Sequence, residues 1–177
     1  VNVSVSVTTL DPALARRMEP RAPAATRRLD AIRELAAAGV PTGVMVAPVI
    51  PAINDMEIER ILDAAAKAGA SAAGYVLLRL PLEISNLFDE WLQAHYPQRA
   101  LRVVALVRET RGGRLYDSRF GSRMRGDGPY AEMIRRRFAL ACRRLDLDRR
   151  RSDLRTDLFR PPVAKPDAQL SLFADSA

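Results

Sequence analysis

Three hydroxyls in strict alternation, Ser4, Ser6 and Thr8, share one face of the opening run VNVSVSVT, opposite Val1, Val3, Val5 and Val7. A period of two is that of a strand with two distinct faces. Hydroxyls aligned on one of them could hydrogen-bond the carboxylate or ribose hydroxyls of a small ligand, or could lie under a loop or meet water. Arg79 interrupts the apolar run Tyr75 to Leu80. A charge there is costly to bury unless paired, so it is either a ligand contact or half of a pair with an acid such as Glu83. Arg119, Arg123 and Arg125 lie in a Gly-rich stretch with Tyr116 and Phe120, and the planar guanidinium fork suits phosphate contacts. Asn54 and Asp55 read as a helix cap, Cys142 as core and His95 as surface. With one Cys and one His, a disulfide framework, a Cys/His zinc site and an iron–sulfur cluster held by this chain alone are excluded. No Ser/His/Asp grouping, P-loop or paired metal ligands can be assembled.

Length and charge set the frame for these residues. The 177 residues, 48% hydrophobic and 28% charged, suit one globular domain. No apolar run is long enough for a membrane span, the alternating start is unlike a signal peptide, and the single thiol suits a reducing cytoplasm. The chain opens without Met inside a strand-like pattern, which reads as a piece of something longer. The net charge of +7 is concentrated: residues 99–151 carry net +10, and every cation among them is Arg. That block is either the solvated face of an Arg-rich chain or the footprint of a polyanionic partner.

Between the candidate residues the patterning alternates. The first strand is followed by Asp11-Pro12, an N-cap with Pro at N1, opening a short helix through Met18. A helix over 24–38 with Leu29, Ile32, Leu35 and Ala36 on one face ends at Gly39. The run 40–50 is apolar nearly throughout, as a strand covered on both faces would be. A helix through Lys67, with Ile58, Ile61, Leu62 and Ala65 inward, then a strand over 72–80 and a helix over 82–93 complete three strand–helix units. Such alternation predicts α/β parallel units, the second half of a barrel or curved sheet, whose ligands sit at the carboxyl ends of the strands. Helices over 98–111 and 130–145 flank the Gly-rich stretch. The expected organisation is a half-barrel over 1–97, a basic helical extension over 98–147 and a flexible tail over 148–177.

The blocks Thr8-Thr9-Leu10-Asp11, Glu19-Pro20-Arg21-Ala22-Pro23, Val44-Met45-Val46-Ala47-Pro48-Val49-Ile50-Pro51 with Asn54-Asp55, Gly74 to Pro81, and Phe120 to Met124 resemble the later half of radical S-adenosylmethionine proteins of the spore photoproduct lyase-like, DNA repair photolyase-related group. The resemblance spans about residues 1–147. It implies the C-terminal half of a partial (β/α)6 barrel. It also implies a [4Fe–4S] cluster bound through a CxxxCxxC loop, which cleaves S-adenosylmethionine to a radical that takes a substrate hydrogen. This sequence has no such loop, so the chain alone is expected to be inactive. By the same resemblance, cofactor contacts fall on Ser4, Ser6 and Thr8, an adenine wall near Ala47, Pro48 and Val49, and further contacts near Leu78, Arg79 and Leu80.

Near the end, Gln169-Leu170-Ser171-Leu172-Phe173 is similar to the peptide by which bacterial DNA repair and replication proteins hold the sliding clamp. Leu170, Leu172 and Phe173 would fill an apolar cleft and Gln169 bond at its rim, with the tail as tether. Three readings follow. One is part of a cytoplasmic radical S-adenosylmethionine enzyme acting on DNA; the alternative is a non-enzymatic module associated with DNA and the clamp. A third is half of an ordinary metabolic parallel barrel with a decorative tail.

Overall fold

Strand and helix alternate through the first half of the chain, and helices follow. The computed structural model describes residues 2–148 together with Asp157 and Phe159. Three strands, β1 (Val3–Ser6), β2 (Thr42–Val49) and β3 (Ala72–Leu77), form one parallel sheet in the order β1-β2-β3. Between β1 and β2 lie α1 (Pro12–Met18) and α2 (Ala25–Ala37). Between β2 and β3, a 3-10 turn at Asp55–Glu57 leads into α3 (Ile58–Lys67). Beyond β3 come α4 (Ile84–His95), α5 (Pro97–Glu109), the one-turn α6 (Ser122–Arg125) and α7 (Gly128–Arg144). The fold is therefore mixed α/β around a small parallel sheet.

Local chemistry explains the element ends. The Asp11 carboxylate accepts the Ala13 amide at 2.8 Å and Pro12 opens α1, as expected. Gly39 and Gly69, at φ 74° and 99°, end α2 and α3 in the left-handed region. β2 carries Pro48 after a cis bond from Ala47. Proline gives no ladder donor, and the pairing shifts there: Val46 faces Tyr75, yet Val49 faces Leu77. The bulge lets Val46 and Val49 both reach the core.

The helices cover one face of the sheet. Val7, Val44, Val46, Tyr75 and Leu77 on that face pack with Ile32 of α2, Ile58, Ile61 and Leu62 of α3, and Ile134, Phe138 and Cys142 of α7. The other face, with Ser4 and Ser6 exposed and Met45, Gly74 and Val76 half-buried, carries no such cluster. The expectation that β2 is covered on both faces is thus corrected: Val44, Val46 and Val49 pack on one side, and Gly43 and Met45 lie on the other. A second cluster lies past the carboxyl ends of β2 and β3. It joins Leu14, Ile50, Ile53, Leu78 and Leu80 to Leu92 of α4 and Val103 and Val107 of α5. The basic extension closes the β3 side: the Ala73 amide donates to the Leu147 carbonyl at 3.2 Å, and Ala72 bridges Asp148. Because α7 shares the sheet's own core, residues 98–147 pack as part of the same body as the strands.

Candidate functional site at the carboxyl ends of the strands

Parallel strands bring their carboxyl ends to one edge, and most of the buried polar side chains among the described residues gather there. Thr8 and Thr9 follow β1, Asn54, Asp55 and Glu57 follow β2, and Arg111 and Thr110 pack against the end of β3. Thr42, at the amino end, is the one buried polar residue elsewhere among those described.

Asn54 is 2% exposed and stands at the N-cap of the 3-10 turn, but its side chain makes no capping bond there. Its Oδ1 accepts the Ile50 amide at 2.6 Å, while its Nδ2 donates to the carbonyls of Thr8 and Pro48 at 2.8 and 2.9 Å. The cap reading is corrected: with all three bonds made to backbone, Asn54 staples the end of β1 to the end of β2. Glu57 does the same from the other side, accepting the Thr9 hydroxyl at 2.6 Å and the Leu10 amide at 2.8 Å. Arg28 reaches back from α2 to the Ser6 carbonyl at 3.0 Å and to Glu19 at 2.9 Å. The Thr8 hydroxyl lies 3.0 Å from the Ala47 carbonyl and 3.1 Å from the Glu19 carboxylate. Thr8, Thr9, Glu19 and Arg28 border a cavity of about 180 Å³ past the end of β1.

The residues singled out in the sequence separate by environment. Ser4 and Ser6 stand exposed on the open face. The register sets Gly43 beside Ser4 and Met45 beside Ser6, and Gly74 beside Met45. Ser4, Gly43, Met45, Ala72 and Gly74 line a cavity of about 420 Å³ over the amino half of that face. A Cβ on Gly43 would stand 3.0 Å from the Ala72 carbonyl oxygen, so glycine keeps the strands unobstructed there. Pro48 is half-buried at the bulge. Val49 is fully buried in the core, which leaves only its backbone for contacts, and its carbonyl already accepts the Leu78 amide at 2.9 Å.

Past β3, Arg79 donates to the Tyr116 hydroxyl at 3.2 Å and to Met124 Sδ at 3.7 Å, with its guanidinium over the Tyr116 ring. No carboxylate among the described residues lies within ion-pair distance of it, so the pair with Glu83 does not form. Arg111, 3% exposed, donates to the carbonyls of Leu77, Leu78, Ser122 and Arg123 at 2.9 to 3.2 Å. Burial and the neighbouring Arg79 charge both lower its proton affinity. Sequence reasoning missed Arg111, although it continues the buried stripe Ala100, Val103, Val107 by one helical step. It missed Glu57 as well, whose partners lie 47 and 48 residues away.

The three loop arginines do not converge. Arg119 pairs with Asp117 at 2.8 Å and Asp127 at 3.6 Å, and hydrogen bonds from Arg119 hold the Asp117 carboxyl far below the usual carboxylate range. Arg123 lies over the ring of Phe120, which is 91% exposed, and Arg125 over Tyr75. Cys142 is buried and His95 exposed, as expected. The peptide Gln169, Leu170, Leu172, Phe173 lies outside the described residues.

Proteins described as uncharacterized from Mycobacterium bovis (strain ATCC BAA-935 / AF2122/97) and Mycobacterium tuberculosis (strains CDC 1551 / Oshkosh and ATCC 25618 / H37Rv) are 34% identical to this chain over 167 residues. The match covers 92% of this chain and 45% of each relative, so the chain spans less than half their length. No family model and no solved structure matches it.

Proposed function

We propose that residues 1–147 form the second half of a radical S-adenosylmethionine enzyme of the spore photoproduct lyase-like group, acting on DNA in the cytoplasm. In this reading β1, β2 and β3 are the last three strands of a partial (β/α)6 barrel. The observation that carries it is the one-sided covering of the sheet. Helices pack on one face, while Ser4, Ser6, Met45 and Gly74 stay open on the other. A barrel half presents just such a lining to the half that completes it. The greater length of the mycobacterial relatives is consistent with such a half.

The [4Fe–4S] cluster does not fit this chain alone. The CxxxCxxC loop that the resemblance implies supplies three thiolates, and the one Cys, Cys142, is buried. No step is routed through the cluster, whose ligands belong to the proposed other half. S-adenosylmethionine fits the open face better: the exposed Ser4 and Ser6 hydroxyls can bond its methionine and ribose portions, and Pro48 offers an apolar wall for the adenine. When bound, it supplies the hydrogen-abstracting chemistry. The chain's own part is binding and orientation. Thr8, already bonded to Ala47 and Glu19, holds the end of β1 in place. Arg79 lies past the end of β3, with no ion pair among the described residues. No helix among the described residues is long and apolar enough to cross a membrane.

The test is an iron and sulfide assay on the full-length protein reconstituted without oxygen. About four irons per chain, with S-adenosylmethionine cleaved on reduction, is the expected outcome; no cluster and no cleavage would falsify the enzyme reading. The second reading, a DNA- and sliding-clamp-associated binding module, would then stand, supported by the Gln169-to-Phe173 peptide and the basic block.

A further inference from the structure

The loop between α5 and α7 displays an aromatic ring on a fastened frame. Phe120 is 91% exposed. A single apolar side chain in water is ordinary, but the backbone around this one is held on both sides. The Asp117 carboxylate accepts the Arg119 amide and the Ser122 hydroxyl, each at 3.0 Å. Buried Arg111 holds the carbonyls of Ser122 and Arg123 and, through the same guanidinium, those of Leu77 and Leu78 at the end of β3. The ring therefore stands at the edge where the strands end. The Arg123 guanidinium lies over it, 5.2 Å from the centroid. Met124, 39% exposed, leads to a second such pair: its Sδ is 3.7 Å from Arg79, whose guanidinium sits 5.7 Å from the Tyr116 ring centroid. Arg79, Arg114, Arg123 and Arg125 make no ion pair among the described residues, and the acids of this loop, Asp117 and Asp127, are taken by Arg119.

We propose that the loop over 116–125 binds an unpaired stretch of DNA, with Phe120 stacking on a nucleobase and the arginines that lack carboxylate partners against the flanking phosphates. A flat apolar ring backed by a cation takes another flat ring, and guanidiniums without carboxylates take oxyanions. A polyanion with accessible ring faces meets both demands on one surface. A single strand is such a polyanion, whereas a duplex keeps its ring faces stacked on one another. Stacking of this kind reads no sequence, because every base has a π-face. The choice of DNA rests on the DNA association proposed above.

Anisotropy of a short labelled single-stranded DNA with the full chain tests it, beside an abasic strand of the same length and label. The abasic strand keeps the phosphates and removes the bases. The parent is expected to hold the intact strand about tenfold more tightly than the abasic one, the size of one base–aromatic stack. Phe120→Ala and Phe120→Leu should erase that difference while Phe120→Trp keeps it, and all three should melt with the parent because the ring lies outside the fold. Arg114→Gln combined with Arg125→Gln should weaken both strands alike and reduce the salt dependence. Equal binding of the two strands by the parent, or Phe120→Leu holding them as the parent does, would overturn the stack and leave the DNA association standing. A parent that binds neither strand would overturn both.

Discussion

Asn54 shows how much one side chain can carry at the edge where the strands end. Its amide satisfies three backbone groups that would otherwise be buried unbonded. Asn54→Ala is expected to cost about 2–4 kcal/mol, read from denaturant midpoints. A loss under 1 kcal/mol would mean that packing and the bonds of Thr8 and Glu57 hold the ends of β1 and β2 without it. Cys142 and Tyr130 carry a different signature. Burial raises the Cys142 thiol to about 11, and burial with a 2.7 Å bond to Asp55 raises the Tyr130 hydroxyl to about 12. Both hold their proton more tightly folded than unfolded. Their contribution is therefore complete below the unfolded values near 9 and 10, and is lost as pH rises through about 11 and about 12. Stability should fall from pH 9 to 12, and Cys142→Ala should flatten the 9–11 limb. A Cys142→Ala profile parallel to the parent's in that range would place the cause elsewhere.

At the scale of elements, the extension is fastened by a charge rather than by apolar area alone. Arg111 ends the buried stripe of α5 and ties the backbone of α6 to the end of β3. Arg111→Met keeps much of the volume and removes the donor of the Leu77, Leu78 and Arg123 carbonyls, while that of Ser122 keeps the Gly126 amide, at a cost of about 3 kcal/mol. The loop 112–127 should then open first, seen as faster tryptic cleavage at Arg119 and Arg123 with the rest of the fold intact. Unchanged cleavage would show that the loop is held by the Asp117–Arg119 pair. Gly126 belongs to the same fastening: its φ is 71°, and a Cβ there would stand 2.8 Å from the Thr110 carbonyl oxygen, so the turn into α7 requires glycine.

For the whole molecule, edges and charge decide. Among the described residues, Leu147 and Asp148 cover the start of the β3 edge, whereas β1 pairs only with β2. A free strand edge beside an open face favours pairing with another chain, so the isolated chain should self-associate with concentration. A monodisperse monomer throughout a sedimentation series would count against the half-barrel. The clamp proposal is tested by a pull-down in which Leu172→Ala and Phe173→Ala abolish capture; variants that bind like the parent end it.

Order and face of the elements were legible because period and capping are local properties. The alternation of β1, the Asp11-Pro12 cap, the α3 stripe from Ile58 to Ala65 and the burial of Cys142 needed no partner to be read. The shared face of Ser4 and Ser6 followed from the same alternation; that this face stands exposed did not. Tertiary structure decided what each polar group bonds to. Asn54 looked like a cap because capping uses the same side chain locally, yet its partners are 4, 6 and 46 residues away. Arg119 looked free for phosphate until Asp117 and Asp127 folded onto it. The uncovered ring of Phe120 could not be seen at all, because an open face exists only once every neighbour has been placed.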